Sequence, residues 1–222
     1  METNLDSLFA KWDERKEFDG YHNGYAYVDL GLPSGTKWAV DNITVDLLNS
    51  NSLLFQFGKT DGYAYGDTNN KFTTGFDNET LTGDAYINMV TSDTKYGLGS
   101  TLSLADDAAH VNLGGDWIMP TKDDLQELYD NTTRIVTVVE DKKGMLFTSN
   151  INHKSIFIPF DGFYDCFDDE FVAQGTYSYL WSSSVNLNTI STASCLYFDL
   201  EGHCYVEYIG RAIGCPIRGV LK

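Results

Sequence analysis

Two strand-like runs, Tyr25-Ala-Tyr-Val-Asp-Leu30 and Thr36-Lys-Trp-Ala-Val40, bracket the turn Gly31-Leu-Pro-Ser-Gly35. Aromatic and β-branched residues in the runs, with glycine and proline between them, predict a strand–turn–strand unit. Similar short runs recur at 134–139, 144–149, 155–160, 179–184, 194–200, 204–209 and 215–220, and Trp117-Ile-Met-Pro120 reads as another strand. Helical patterns are few. Leu5, Leu8, Phe9 and Trp12 fall at i, i+3, i+4 and i+7, so residues 4–17 read as a short amphipathic helix with Asp6, Asp13 and Glu14 on its polar face. Asp19-Gly20 and Asn23-Gly24 then break it. Residues 104–111 predict a second short helix ending at Gly114-Gly115. Thr121 with Asp124 three positions on, followed by Leu125 and Leu128, opens a third with a capping-box signature. Residues 59–103, rich in Gly, Asn, Asp, Thr and Tyr, read as a long decorated loop. Few helices, many short antiparallel strands and long loops predict an α+β fold. The expected organisation is an N-terminal helical arm at 1–22 and one domain at 23–222, with no internal repeat.

With 42% hydrophobic and 21% charged residues, a chain of 222 residues has the means to bury a substantial core. A net charge of −17 and a pI near 4.3 argue against nucleic acid or an anionic membrane surface as partner, because both attract positive charge. Such acidity suits a surface that stays dispersed at high local concentration. No stretch reaches the roughly 20 apolar residues of a membrane-spanning helix. The first ten residues lack the basic start and apolar run of a signal peptide. That leaves two expectations: a protein assembled in the cytoplasm where it is made, as a phage protein is, or a surface protein whose leader has been removed.

Four segments carry the clearest motif: Tyr27-Val-Asp-Leu-Gly-Leu-Pro-Ser-Gly-Thr-Lys-Trp-Ala39, Trp117-Ile-Met-Pro-Thr121, Leu180-Trp-Ser-Ser-Ser184 and Gly210-Arg-Ala-Ile-Gly-Cys-Pro-Ile-Arg-Gly-Val220. In this order and spacing they resemble the Fibrobacter major paralogous family, a module of gut Bacteroidetes and their phages. That family is similar in turn to the variable proteins of diversity-generating retroelements. The resemblance spans about residues 25–221. Ile118 stands where the family usually has arginine, and Gly214-Cys215 departs from its closing motif. The resemblance implies a C-type-lectin-like fold used for display, with Tyr25–Leu30 pairing against Ile217–Leu221.

Several residue groups invite chemistry. Ser182-Ser-Ser184 with His22, His110, His153 and His203 raises a hydrolase reading, but no nucleophile elbow accompanies them. Cys195, Cys204, Cys215 and His203 include soft metal ligands, yet neither Cys-x-x-Cys nor His-x-x-x-His occurs, and adjacent His203 and Cys204 would point to opposite faces of a strand. Cys166 completes four cysteines that read as free, buried thiols. Asp165, Asp168, Asp169 and Glu170 form an acidic loop that could offer oxygens to calcium. No cofactor is expected. Trp38, Trp117 and Trp181 read as core residues.

The most suggestive surface is the pair of polar stretches at 186–194 and 202–208. Asn186, Asn188, Thr189, Ser191, His203, Tyr205 and Tyr208 are the candidate ligand contacts, because Asn, Ser and Thr give adaptable hydrogen bonds and Tyr gives rigid contact area. The aromatic stretches at 160–167 and 62–66 could flank them. Leu5, Leu8, Phe9 and Trp12 are the candidate assembly residues, with packing on their own domain as the other possibility. The resulting expectation is a non-catalytic virion surface protein of a phage, such as a head fibre, decoration or tail-tip protein. It would be a homo-oligomer (trimer or dimer) contacting other virion proteins and a glycan or cell-surface receptor. A bacterial cell-surface adhesin is the alternative, and an oxidase resembling the formylglycine-generating enzymes is a more distant one.

Overall fold

The computed structural model describes residues 18–45, 51–72, 101–186, 188–189 and 191–222. The amphipathic pattern at 4–17, with Leu5, Leu8, Phe9 and Trp12, lies outside them. Strands dominate and helices are few, which is compatible with an α+β or mainly-β fold. Four antiparallel sheets and two helices make up the described residues.

The first sheet joins β1 (Gly20–His22), β2 (Tyr25–Asp29), β3 (Lys37–Ala39) and β15 (Val220–Leu221) in that order. Asn23 and Gly24, at φ 48° and 85°, close a tight hairpin between β1 and β2. Residues 20–22, predicted to belong to the arm, are therefore the outer strand of this sheet. Their presence also explains a second difference. The closing strand pairs with β3, Val220 opposite Trp38, instead of with Tyr25–Leu30. Both edges of β2 are already taken, by β1 and β3.

The second sheet runs β10 (Glu170–Val172), β9 (Phe163–Asp165), β14 (Gly214–Pro216), β4 (Leu53–Gln56) and β5 (Tyr63–Ala64). The third is β11 (Tyr177–Val185), β12 (Thr192–Asp199) and β13 (Cys204–Gly210), and the fourth β6 (Thr132–Val139), β7 (Lys142–Ser149) and β8 (Ser155–Pro159). The predicted strand at 215–220 is thus two strands in different sheets. The predicted strand at Trp117–Pro120 reduces to a single bridge, Ile118 with Val220. Part of the expected loop at 59–103 forms β5.

Helix α1 spans Ala108–Leu113, four residues later than predicted. Its start is set by Asp107, whose carboxylate accepts from the amides of His110 and Met119. Helix α2, Lys122–Asp130, has the predicted capping box, with Thr121 and Asp124 exchanging side-chain and backbone hydrogen bonds.

The third sheet is the central layer. Leu180, Leu196, Phe198 and Cys204 face one cluster with Leu125 and Leu128 of α2 and Met145, Phe147, Ile156 and Ile158 of the fourth sheet. Trp181, Ala193 and Cys195 face a second cluster with Phe55, Cys215, Trp117 and α1. Trp38, Trp117 and Trp181 are wholly buried, as their strand contexts predict.

Three of the four motif segments meet at or beside α2, and Lys222, just past the fourth, joins them. Ser34 donates to both carboxylate oxygens of Glu127, through its amide at 2.9 Å and its hydroxyl at 2.5 Å. The Thr36 hydroxyl donates to Asp124, the Lys122 amide donates to Ser184 Oγ, and the Ser183 amide donates to the Pro120 carbonyl. Lys222 Nζ reaches Asp124 Oδ2 at 2.9 Å. Burial alone would raise the Asp124 pKa, but the hydrogen bonds from Thr121 and Lys222 outweigh it and hold the carboxyl below its ordinary range. A carboxyl depressed on folding adds stability above its unfolded pKa of about 3.9, and that stability is lost as pH falls through the folded value. Asp124→Asn is expected to cost about 1–2 kcal/mol at neutral pH and to flatten the acid limb of a stability–pH profile measured by urea unfolding.

Candidate functional site

On the second-cluster side of the central sheet, β-strand alternation lines up three rows of side chains across β11, β12 and β13. Trp181, Cys195 and Glu207 form the inner row, and Tyr179, Tyr197 and Tyr205 the middle one. Tyr177 and Asp199 form the outer row. The inner row is covered by the second sheet at Trp181 and Cys195, whose side chains are fully buried. Over the middle and outer rows the cover is partial, with Phe163 of β9 packed on Tyr177 and Tyr179. Tyr177, Tyr179 and Tyr197 are half-buried, and Tyr205 is 45% exposed.

The rings form a continuous ladder. Tyr197 and Tyr205 lie 4.9 Å apart at 30°, Tyr179 and Tyr197 5.5 Å, and Tyr177 and Tyr197 5.8 Å. Phe163 of β9 anchors the ladder from below, 5.6 Å from Tyr177 and 5.3 Å from Tyr179. Tyr177, Tyr179 and Tyr197 each meet three ring neighbours, and Tyr205 rests on Tyr197, so a hydrogen-bonded sheet holds the surface in place.

Carboxylates border the ladder. Asp199 Oδ2 accepts from the Tyr197 hydroxyl at 2.9 Å and contacts His203 Nδ1 at 2.8 Å. Burial would raise the Asp199 pKa, but hydrogen bonds from His203 and Tyr197 outweigh it and lower it. The same contact raises the pKa of His203. Burial raises Glu207, and burial followed by the contact with Asp199 raises the Tyr197 phenol. Tyrosine hydroxyls here stay protonated at neutral pH and can donate, while Asp199 stays ionised and accepts.

Of the seven predicted contacts, the structure brings His203 and Tyr205 to this face. Tyr208 lies on the opposite face of β13, where its hydroxyl is 2.9 Å from Lys122 Nζ and its ring is under that ammonium at 4.9 Å. Asn186, Asn188, Thr189 and Ser191 form the β11–β12 connection at the other end of the hairpin, roughly 20 Å from Tyr197 at 3.3 Å per residue. There Asn186 is committed to its own turn: its side chain accepts from the Asn188 amide and donates to Thr192 Oγ1. Tyr177, Tyr179 and Tyr197 were not predicted. The period-two spacing of Tyr177 and Tyr179 on β11 was the available signal, but only the cross-strand register joins them to Tyr197 and Tyr205.

The other candidates have structural employment. Ser182 Oγ donates to the Ser194 carbonyl and accepts from the Ser184 amide, and Ser183 Oγ donates to the Pro120 carbonyl. All four cysteines are buried thiols without disulfides. Cys204 packs in the first cluster while Cys195 and Cys215 share the second, where burial pushes both thiols well above 9. In the acidic loop Asp169 accepts from Tyr164 at 2.6 Å and Asp165 from the Phe167 amide, shaping the β9–β10 turn. No group of three or more His, Cys, Asp or Glu among the described residues could hold a metal ion. Tyr63, Tyr65, Phe72, Tyr164 and Phe171 pack with one another, away from the ladder.

Comparison with family models, curated proteins and solved structures finds no match. Among the described residues no helix is long and apolar enough to cross a membrane.

Proposed function

We propose that this protein is a non-catalytic display protein of C-type-lectin-like fold on the virion surface of a phage of gut Bacteroidetes, and that its ligand is a neutral glycan. The tyrosine ladder carries this reading. Partly exposed aromatic rings on a rigid sheet stack on the apolar faces of sugar rings, and the phenols and Asp199 supply donors and an acceptor for sugar hydroxyls. The carboxylates favour neutral over sialylated or sulfated sugars, because two anions brought together repel. The absence of catalysis is supported by the hydrogen-bonded serine run and by thiols held protonated, the reverse of an activated nucleophile. A virion setting is supported by the four motif segments and by the acidic surface.

A glycan array probed with the full chain tests it. Neutral glycans are expected to be retained and sialylated ones not, with Tyr205→Ala weakening binding at least about tenfold and Asn188→Ala leaving it unchanged. Retention that ignores Tyr205→Ala would remove the ladder from the binding surface.

A further inference from the structure

We infer that Glu207 forms a subsite for a protonated amine at the inner end of the tyrosine ladder, so that the ligand is a glycan in which one sugar carries a free amino group beside neutral ones. The inference rests on the reading of the ladder as the glycan-binding face and names a further contact on it.

Glu207 is the one acidic member of the inner row, opposite Cys195 of β12 and two residues along β13 from Tyr205. Strand alternation puts its side chain on the same face as the rings, with its Cα about 7 Å from that of Tyr205. Its charge acts on the phenols of Tyr179 and Tyr205, which border it. The carboxylates around the ladder differ in what holds them. Asp199 accepts from Tyr197 and contacts His203, and Asp165, beside Tyr177, accepts from the Phe167 amide. Glu207 is half-buried, and among the described residues no hydrogen-bond donor or cation reaches it. Burial alone acts on its carboxyl and raises it. Folding therefore gains nothing from this charge, and the aromatic face carries a carboxylate without a counter-ion.

The missing partner is a cation. Residues 155–210, which supply every ring of the ladder, contain no lysine or arginine. His203 is the one side chain in that stretch that can become positive, and Asp199 already holds it. A protonated amine set against Glu207 gains a charge-assisted hydrogen bond and lies beside tyrosine rings, whose π faces attract cations. The carboxylate in turn keeps the amine protonated. A sugar hydroxyl in the same place offers a weaker donor, and an acetylated amine has no charge to offer. The short step from Tyr205 to Glu207 lets adjoining sugars of one glycan occupy the ladder and the subsite together.

Titration calorimetry of the full chain tests this, with a glucosamine tetrasaccharide and its fully N-acetylated counterpart as probes. Neutral pH and ~0.15 M salt screen the distant acidic surface. The amine form is expected to bind at least about tenfold more tightly. Glu207→Gln should cut that preference to within about twofold and leave the affinity for the acetylated form unchanged. Asp141→Asn, at the β6–β7 turn on the other side of the central sheet, should not move it. Because nothing in the folded chain compensates the carboxylate, Glu207→Gln should also keep or raise the urea midpoint, whereas loss of a structural carboxylate lowers it. Equal affinity for the two forms, or a preference that survives Glu207→Gln, overturns the proposal. Oligolysine bound as tightly and with the same dependence on Glu207 overturns it in favour of a basic peptide. Binding of neither tetrasaccharide, with array retention still sensitive to Tyr205→Ala, removes the subsite and leaves the glycan reading standing. Retention indifferent to Tyr205→Ala removes both.

Discussion

Arg218→Ala is expected to destabilise the protein by about 3–5 kcal/mol, the cost of removing one partner from a buried charged network. Arg218 lies between β14 and β15 and is 1% exposed. Its Nε donates to Asn42 Oδ1 at 2.8 Å, and one terminal nitrogen donates to the Val40 carbonyl at 2.8 Å and the Ala39 carbonyl at 3.3 Å. Asn42 in turn donates to Asp161 Oδ2 at 2.8 Å. This chain of contacts ties the segment after β3 to the closing strands and to the start of β9. Burial pushes the guanidinium down to about 10, so it remains charged at neutral pH. Alanine would leave three acceptors unpaired in a cavity. Burial also raises Asp161, and the attraction of Arg218 is one of the forces opposing that rise. An acid raised on folding contributes stability below its unfolded pKa and loses it as pH climbs through the folded value. Without Arg218 that loss should deepen, so urea unfolding should show the variant falling further behind the wild type as pH rises from acidic to neutral.

Trp181→Ala should cost a similar about 3–5 kcal/mol, for a different reason. The side chain is wholly buried where the central sheet meets the second one. Its indole N–H donates to the Phe55 carbonyl at 2.9 Å, and its ring meets Phe57 edge-on at 5.5 Å. Trp181→Phe keeps most of the apolar contact and loses the hydrogen bond, so about 1–3 kcal/mol is expected. Equal losses from the two variants in denaturant unfolding would contradict this division between packing and hydrogen bonding. Because Trp181 sits one row in from Tyr179 and Tyr197, the alanine variant should also disturb the near-ultraviolet dichroism of the tyrosines.

Local chemistry was legible in the sequence, and long-range register was not. The capping box of α2 needs only Thr121 and Asp124, three residues apart, and the burial of Trp38, Trp117 and Trp181 follows from the strand patterns around them. The strands at 134–139, 144–149 and 155–160 are found nearly where their β-branched and aromatic runs indicate. What the sequence did not show depended on partners distant in the chain. The closing strand's choice of β3 over β2 turns on a three-residue strand at Gly20–His22 that the Asp19-Gly20 and Asn23-Gly24 signals concealed. The polar composition of 186–194 is visible in the chain, whereas the tyrosines at 177, 179, 197 and 205 become one surface only when β11, β12 and β13 pair in register. No spacing rule relates Tyr179 to Tyr205.

The ladder's role is tested most directly by following the tyrosine ring resonances of the full chain by NMR while a neutral oligosaccharide retained on the array is added. Shifts are expected to concentrate on Tyr177, Tyr179, Tyr197 and Tyr205, with the amides of Asn188, Thr189 and Ser191 unmoved. Shifts centred on residues 186–191, with the four rings silent, would contradict it.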